Sequence, residues 1–129
     1  MTRRCKAEDY VKTIYTLRAN GVVRSVQIAR ALKVSKATVS VSLKTLEAEG
    51  FLFMKEGHAI ELTVKGLALA KEVTRRYNVF YELLIKSGVD KATAAQDACC
   101  MEHALSEESF HVILSLAEQQ LGLQEPMAL

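Results

Sequence analysis

The apolar residues of the N-terminal region recur at the spacing of a helix. They are Tyr10, Val11, Ile14 and Leu17. Apolar positions three and four residues apart share one face of an α-helix, so this pattern predicts a helix over residues 7–20. Gly21 follows directly and ends the pattern.

Two shorter helices come next, with a very short break between them. Ser25 is expected to cap a helix that ends near residue 32, and Ser35 to cap another that runs to residue 49, because serine oxygens satisfy the free N–H groups of a first turn. Only residues 33–34 separate the two. Two short helices with so short a connection predict a helix-turn-helix.

A segment of β-strand composition follows the second of these helices. Residues 51–55 (FLFMK) and 59–62 (AIEL) flank a turn that contains Gly57. Two apolar runs around a glycine-containing turn predict a β-hairpin. A hairpin directly after the second helix of a helix-turn-helix is a wing.

Three further helices are predicted after the hairpin, over residues 64–86, 91–104 and 107–120. Each is preceded by a side chain that can cap it: Thr63, Asp90 and Ser106. The expected fold is therefore mainly α, with a winged helix-turn-helix and a two-stranded wing over residues 1–63. An all-helical domain is expected over residues 64–129.

Charge is distributed unevenly along the 129 residues. Residues 1–50 hold ten Lys/Arg and four Asp/Glu, whereas residues 90–129 hold one and seven. Phosphate attracts the basic half and is repelled by the acidic half, so the N-terminal half is the one suited to nucleic acid. No apolar run has the length of a membrane span or the form of a signal peptide, so we expect a cytoplasmic protein with no membrane partner.

The third predicted helix has an apolar and a polar face. Its apolar face consists of Val39, Leu43 and Leu46. Lys36, Ser40 and Lys44 lie four residues apart on the other side. The N-terminal part of such a helix contacts base edges in the major groove, and basic residues contact phosphates. The candidate DNA contacts are Ser35, Lys36, Ala37, Thr38, Ser40 and Lys44, with Arg24 and Arg30 before them. A protein-binding winged helix is the alternative.

A second set of residues has the chemistry of a metal site. On the fifth predicted helix, at about 100° per residue, Cys99, Glu102 and His103 span an arc of roughly 100° and can converge on one ion. A thiolate, a carboxylate and an imidazole suit Fe²⁺, Co²⁺, Ni²⁺ or Zn²⁺ rather than Ca²⁺ or Mg²⁺. The three cysteines make a poor disulfide framework, which favours a metal-bound, buried or reactive thiol. A fourth ligand has to come from elsewhere.

Several segments together resemble the diphtheria toxin repressor family of metal-dependent regulators, including its manganese transport regulator branch. They are residues 8–15 (EDYVKTIY), 28–29 (IA), 34–40 (VSKATVS), 62–66 (LTVKG) and 102–106 (EHALS). The resemblance covers nearly the whole chain. It implies a homodimer built from the helices after the wing, which makes the C-terminal part a dimerisation domain. It also implies a repressor of metal-uptake genes that binds a double-stranded DNA operator with Fe²⁺ or Mn²⁺ as corepressor.

The same resemblance implies four ligand positions: Asp9, Cys99, Glu102 and His103. Asp9 matches the manganese-type members and Cys99 the iron-type members, so this sequence combines the two. Lys12 stands where the manganese branch has a ligand glutamate, and Tyr77 where both branches have a ligand histidine. We therefore expect one ion, held by those four side chains.

Three other interpretations are open. The first is a winged-helix regulator without metal control, in which Lys12 pairs with a carboxylate in place of the ion. The second is a thiol-based redox sensor that uses Cys99 and Cys100, or Cys5, which could also replace Asp9 as a ligand. The third is a small metalloenzyme, but the sequence offers no recognisable substrate pocket or accompanying acid and base. We expect a regulator, not an enzyme, with no small-molecule substrate.

Overall fold

We describe residues 3–123 of a computed structural model of the chain, with side chains from Lys6 onward. Its elements are α1 (Arg3–Leu17), α2 (Ser25–Leu32), α3 (Lys36–Ala48), β1 (Leu52–Met54), β2 (Ile60–Leu62), α4 (Val64–Lys86), α5 (Lys91–Met101) and α6 (Glu107–Leu121). They form two compact units, the first up to Lys71 and the second from Glu72. Among the described residues, no helix is long and apolar enough to cross a membrane.

The first unit has one apolar core, to which its helices and both strands contribute. The core residues are Ala7, Tyr10, Ile14, Val23, Ile28, Ala29, Val39, Leu43, Leu46, Leu52 and Ile60. The apolar face of α1 and the apolar face of α3 meet here, as helical periodicity requires. The predicted winged helix-turn-helix is confirmed.

The start of α2 differs from the expectation. Ser25 is the first helical residue, and Arg24 precedes it as the cap. The backbone N–H of Arg24 donates to Oε1 of Gln27 at 2.7 Å. The prediction that Ser25 caps this helix is wrong because a glutamine at the third helical position satisfies the cap residue's own amide.

The wing is a short antiparallel hairpin. Leu52 pairs with Leu62 and Met54 with Ile60. The backbone N–H of Ile60 also donates to the carbonyl of Val23 at 2.9 Å, which joins the wing to the segment before α2. The turn between the strands uses a positive φ of 75° at Gly57.

The second unit packs around a pair of aromatic rings. Phe80 and Phe110 meet edge to face, with ring centroids 5.6 Å apart. The buried residues around them are Val79, Ala98, Leu114, Ala117 and Leu123. Edge-to-face pairs add to the stabilisation that apolar burial provides, so this pair holds α4 and α6 together.

Thr63 and Gly66 join the wing to α4. The hydroxyl of Thr63 accepts the backbone N–H of Gly66 at 3.1 Å and donates to the carbonyl of Gly50 at 2.5 Å. A Cβ on Gly66 would lie 1.9 Å from the carbonyl oxygen of Phe51, which is a backbone atom and cannot rotate away. This close approach requires glycine.

We expect Gly66→Ala to lower the free energy of unfolding by about 1–3 kcal/mol, because the backbone of the first unit has to shift to admit the methyl group. Urea denaturation measures it. Val64, on the same turn and 89% exposed, provides the control. Val64→Ala should change stability by less than about 0.5 kcal/mol. A Gly66→Ala protein as stable as the parent would show that the close approach is not obligatory.

Candidate metal centre and DNA-binding face

The potential metal ligands of the second unit lie where α5 ends. Cys99 is in its last turn, and Glu102, with helical angles of φ −60° and ψ −22°, is the residue after its last. His103 follows in a tighter turn, its N–H donating to the carbonyl of Cys100 at 3.4 Å. The predicted end of the helix at residue 104 is therefore wrong. The chain leaves the helix here because Ser106, a few residues further on, has an extended backbone conformation and caps α6.

The side chains of Cys99 and His103 both approach one carboxylate oxygen of Glu102. Oε1 of Glu102 lies 3.8 Å from Sγ of Cys99 and 3.2 Å from Nε2 of His103. The Glu102 residue is only 1% exposed, whereas Cys99 is exposed. Because the backbone stays helical through Glu102, the spacing seen in the sequence brings the thiol, the carboxylate and the imidazole together.

This donor set fits a divalent transition metal. Nitrogen and sulfur donors beside one carboxylate are typical ligands of Fe²⁺, Zn²⁺ and their neighbours, whereas Ca²⁺ and Mg²⁺ take oxygen ligands. Each of the three groups binds a metal in its deprotonated form. The exposed thiol leaves one side of the set accessible.

Tyr77 of α4 lies close to Cys99 and Glu102. Burial, together with the negative charges of Tyr81, Cys99 and Glu102, raises the pKa of Tyr77 above its usual value. Its ring stacks on that of Tyr81, with centroids 5.9 Å apart. The Tyr77 side chain is therefore a neutral phenol at neutral pH.

Arg76, the residue before Tyr77, fixes the turn that carries Glu102 and His103. It is 5% exposed, and its guanidinium donates to the carbonyl of Leu105 at 2.7 Å. The same group lies 3.3 Å from Oε1 of Glu72 and 5.2 Å from the centroid of the Phe110 ring. The sequence did not indicate this structural role of Arg76, because an arginine on a helix is usually exposed to solvent.

Asp9 and Lys12, the other two residues with expected roles at the metal, belong to the first unit. Both lie on α1, three residues apart and half-buried. Side chains at this spacing share one side of a helix. The assignment of Asp9 as a ligand stays a prediction. The side chain of Cys5, its suggested substitute, lies outside the described part of the chain.

The candidate DNA contacts all lie at the surface of the first unit. They are Arg24, Arg30, Ser35, Lys36, Ala37, Thr38, Ser40 and Lys44. Ser35 caps α3 by accepting the N–H of Thr38 at 3.1 Å, and its hydroxyl donates to that of Thr38 at 2.9 Å. These two side chains therefore hold the start of the helix.

Arg24 has a structural contact that the sequence did not indicate. Its guanidinium donates to the carbonyl of Gly57 at the tip of the wing. Beside that tip, Lys55 and Glu61 form an ion pair across the hairpin at 2.9 Å. Arg24 thus links the start of α2 to the wing.

Val41, like Thr45, Glu47 and Ala48, is an exposed residue of α3 outside the predicted DNA contacts. It is 66% exposed in a helix whose buried residues are Val39, Ser42, Leu43 and Leu46. The helical spacing of the sequence indicates that Val41 is exposed. At about 100° per residue, Val41 lies roughly 150° from the centre of that buried face, whereas Lys36 lies only about 70° from it.

Two family models match consecutive parts of the chain. Residues 4–59 match the "Iron dependent repressor, N-terminal DNA binding domain". Residues 63–119 match the "Iron dependent repressor, metal binding and dimerisation domain". Together they cover most of the chain, including the helix-turn-helix, the first strand of the wing, and the turn with Glu102 and His103.

Individual relatives agree with this assignment. The transcriptional regulator MntR of Salmonella typhimurium is 36% identical over 118 residues, which span 91% of this chain and 75% of that protein. The diphtheria toxin repressor of Corynebacterium efficiens is 34% identical over 103 residues, 78% of this chain and 45% of that protein.

Solved structures share the fold. A manganese-dependent transcriptional repressor in complex with manganese has a TM-score of 0.75 and 27% identity, over 92% of this chain and 53% of that one. A hypothetical protein from Sulfolobus solfataricus, at 23% identity and a TM-score of 0.70, covers 98% of this chain and all of its own. The family that the sequence motifs indicated is thereby confirmed: the chain belongs to the iron-dependent repressor family of metal-dependent, DNA-binding transcriptional regulators.

Proposed function

We propose that this chain is a repressor of metal-uptake genes that binds its operator when one divalent ion, Fe²⁺ or Mn²⁺, occupies a site formed by Asp9, Cys99, Glu102 and His103. The observation that carries the proposal is the buried carboxylate of Glu102, with a thiol and an imidazole beside it. Zn²⁺, Co²⁺ and Ni²⁺ suit the same donors in vitro. The site serves regulation, and the proposal includes no enzymatic step.

The four proposed ligands come from the two halves of the sequence. Asp9 belongs to the DNA-binding half and the other three to the metal-binding and dimerisation half. When bound, the ion supplies the positive charge that allows the four side chains to share one site. Asp9 is then restrained relative to Glu102 and His103, and binding energy gained only in that restrained state shifts the population toward it.

DNA binding depends on this restraint because the functional species is a homodimer. A dimer engages two half-sites only if its recognition helices are separated by about 34 Å or a multiple of it. The partner is a double-stranded operator, which each α3 reads in the major groove. Lys36 and Lys44 of α3 supply phosphate contacts, which give affinity with little sequence preference.

Thiol-based redox control is the second candidate, since the neighbouring cysteines Cys99 and Cys100 are both exposed. Exposed thiols react with peroxide when they are deprotonated. A redox sensor would change its DNA affinity on addition of peroxide and keep it on addition of chelator. A metal-responsive repressor would lose DNA affinity on addition of chelator and keep it on addition of peroxide.

The proposal predicts that the Cys99→Ala, Glu102→Ala double variant loses the metal-dependent gain in DNA affinity, which is about 5–150-fold for a typical allosteric coupling. The DNA affinity of the double variant should equal that of the parent protein in the presence of chelator, and the variant should remain a dimer. Fluorescence anisotropy measures binding to a DNA duplex selected by the parent, with Mn²⁺, Fe²⁺, Zn²⁺ or chelator. Sedimentation reports the dimer.

Two further variants make that result interpretable. Cys99→Ala alone changes an exposed position, which separates loss of a ligand from loss of the fold. His111→Ala removes an exposed imidazole of α6 and should respond to metal like the parent. If the double variant gained the same affinity on adding metal as the parent, the proposed site would be wrong.

Phosphate contacts by α3 predict a change in salt dependence. Each phosphate contact contributes about 0.9 to the slope of log affinity against log salt concentration. Lys36→Ala or Lys44→Ala should therefore reduce the magnitude of the slope by about 1 per subunit. Lys86→Ala, at the exposed end of α4, should leave it unchanged. Equal slopes for the parent and both α3 variants would show that these lysines do not contact the backbone.

A further inference from the structure

The centre of the exposed face of α3 is occupied by small and apolar side chains. The buried residues of this helix are Val39, Ser42, Leu43 and Leu46. At about 100° per residue, the positions roughly 150–170° from their centre are Ala37, Val41, Lys44 and Ala48. The polar residues Lys36 and Ser40 lie about 70–110° from that centre, on one flank. The outermost part of the helix is therefore mainly apolar.

Val41 is the largest apolar side chain on this outer face. It is 66% exposed, compared with 60% for Val22, 39% for Val34 and 38% for Val26. A β-branched residue at a helix surface offers no gain in helix propensity, so local folding does not explain a valine there. Val41 is also only the sixth residue of α3, within the part of a recognition helix that reaches base edges.

The chemistry of Val41 limits what it can recognise in a DNA groove. An isopropyl group neither donates nor accepts hydrogen bonds, so it gains nothing from the polar edges of guanine, adenine or cytosine. The apolar group that an unmodified major groove presents is the 5-methyl group of thymine.

We propose that Val41 contacts the 5-methyl group of a thymine and thereby makes that thymine a specificity-determining base of each operator half-site. The inference rests on the proposed DNA-binding function of α3. Lys44, one turn further and on the same outer face, adds phosphate affinity without base preference. Val41 thus supplies sequence discrimination that the lysines of this helix do not.

Removal of the methyl group alone tests the contact. A duplex is first selected from a random pool with the metal-loaded parent protein, and each thymine is then replaced in turn by deoxyuridine. Burial of one methyl group corresponds to roughly fourfold in affinity. We expect one thymine per half-site at which the replacement weakens binding by the parent about fourfold. With Val41→Ala, the same replacement should cost less than about twofold.

Two matched controls separate this contact from general effects. Val112→Ala removes a comparably exposed valine (60%) from α6 and should keep the fourfold penalty. At the position where deoxyuridine weakens binding, the thymine is replaced by cytosine or by 5-methylcytosine, and the affinities of the two duplexes are compared. A gain for 5-methylcytosine over cytosine with the parent, absent with Val41→Ala, assigns the effect to the methyl group and not to the thymine carbonyl.

The failures of the two proposals are distinguishable. If the parent selects no duplex at any salt concentration, the DNA-binding function itself is wrong. If it selects a duplex but deoxyuridine costs the parent and Val41→Ala equally at every position, only the assignment of Val41 is overturned. Because Val41 is exposed, its variant should melt within a few degrees of the parent, and a circular dichroism melt checks this.

Discussion

The regulation proposed for this protein depends on one buried carboxylate. Glu102 is almost fully excluded from solvent at the end of α5, with a thiol and an imidazole beside it. A buried carboxylate is costly unless positive charge or hydrogen bonds compensate it. Cys99 and His103 lie within reach of this carboxylate, and a divalent cation bound by the three groups would supply positive charge while its donors are deprotonated. A thiol, a carboxylate and an imidazole side by side are a donor set that suits a divalent transition metal.

The surroundings of Glu102 hold the turn in place. Arg76 binds the backbone at Leu105 and stacks over Phe110, so the turn is attached to the core of the second unit. Tyr77, stacked on Tyr81, lies close to Cys99 and Glu102. The number of ions at this site stays a prediction.

The sequence predicted those features whose signals are local. Four caps, each accepting an N–H three residues ahead, were expected and are present: Ser35, Thr63, Asp90 and Ser106. The contacts of Arg24 with the wing and of Arg76 with Leu105 join residues 33 and 29 positions apart, and no local pattern reveals them. Helical spacing alone places Val41 on the exposed face of α3, beside Lys36, Ser40 and Lys44. The predicted DNA contacts do not include it, because most of them follow polarity and charge.

The central claim is that metal and operator favour the same state of the protein, and thermodynamic linkage tests it most directly. Coupling between two binding sites is reciprocal, so a duplex must raise metal affinity by the same factor by which metal raises duplex affinity. Calorimetric titration of Co²⁺ into the protein, free and saturated with a selected duplex, measures this. The account predicts tighter Co²⁺ binding in the complex. Equal Co²⁺ affinity with and without DNA would contradict it.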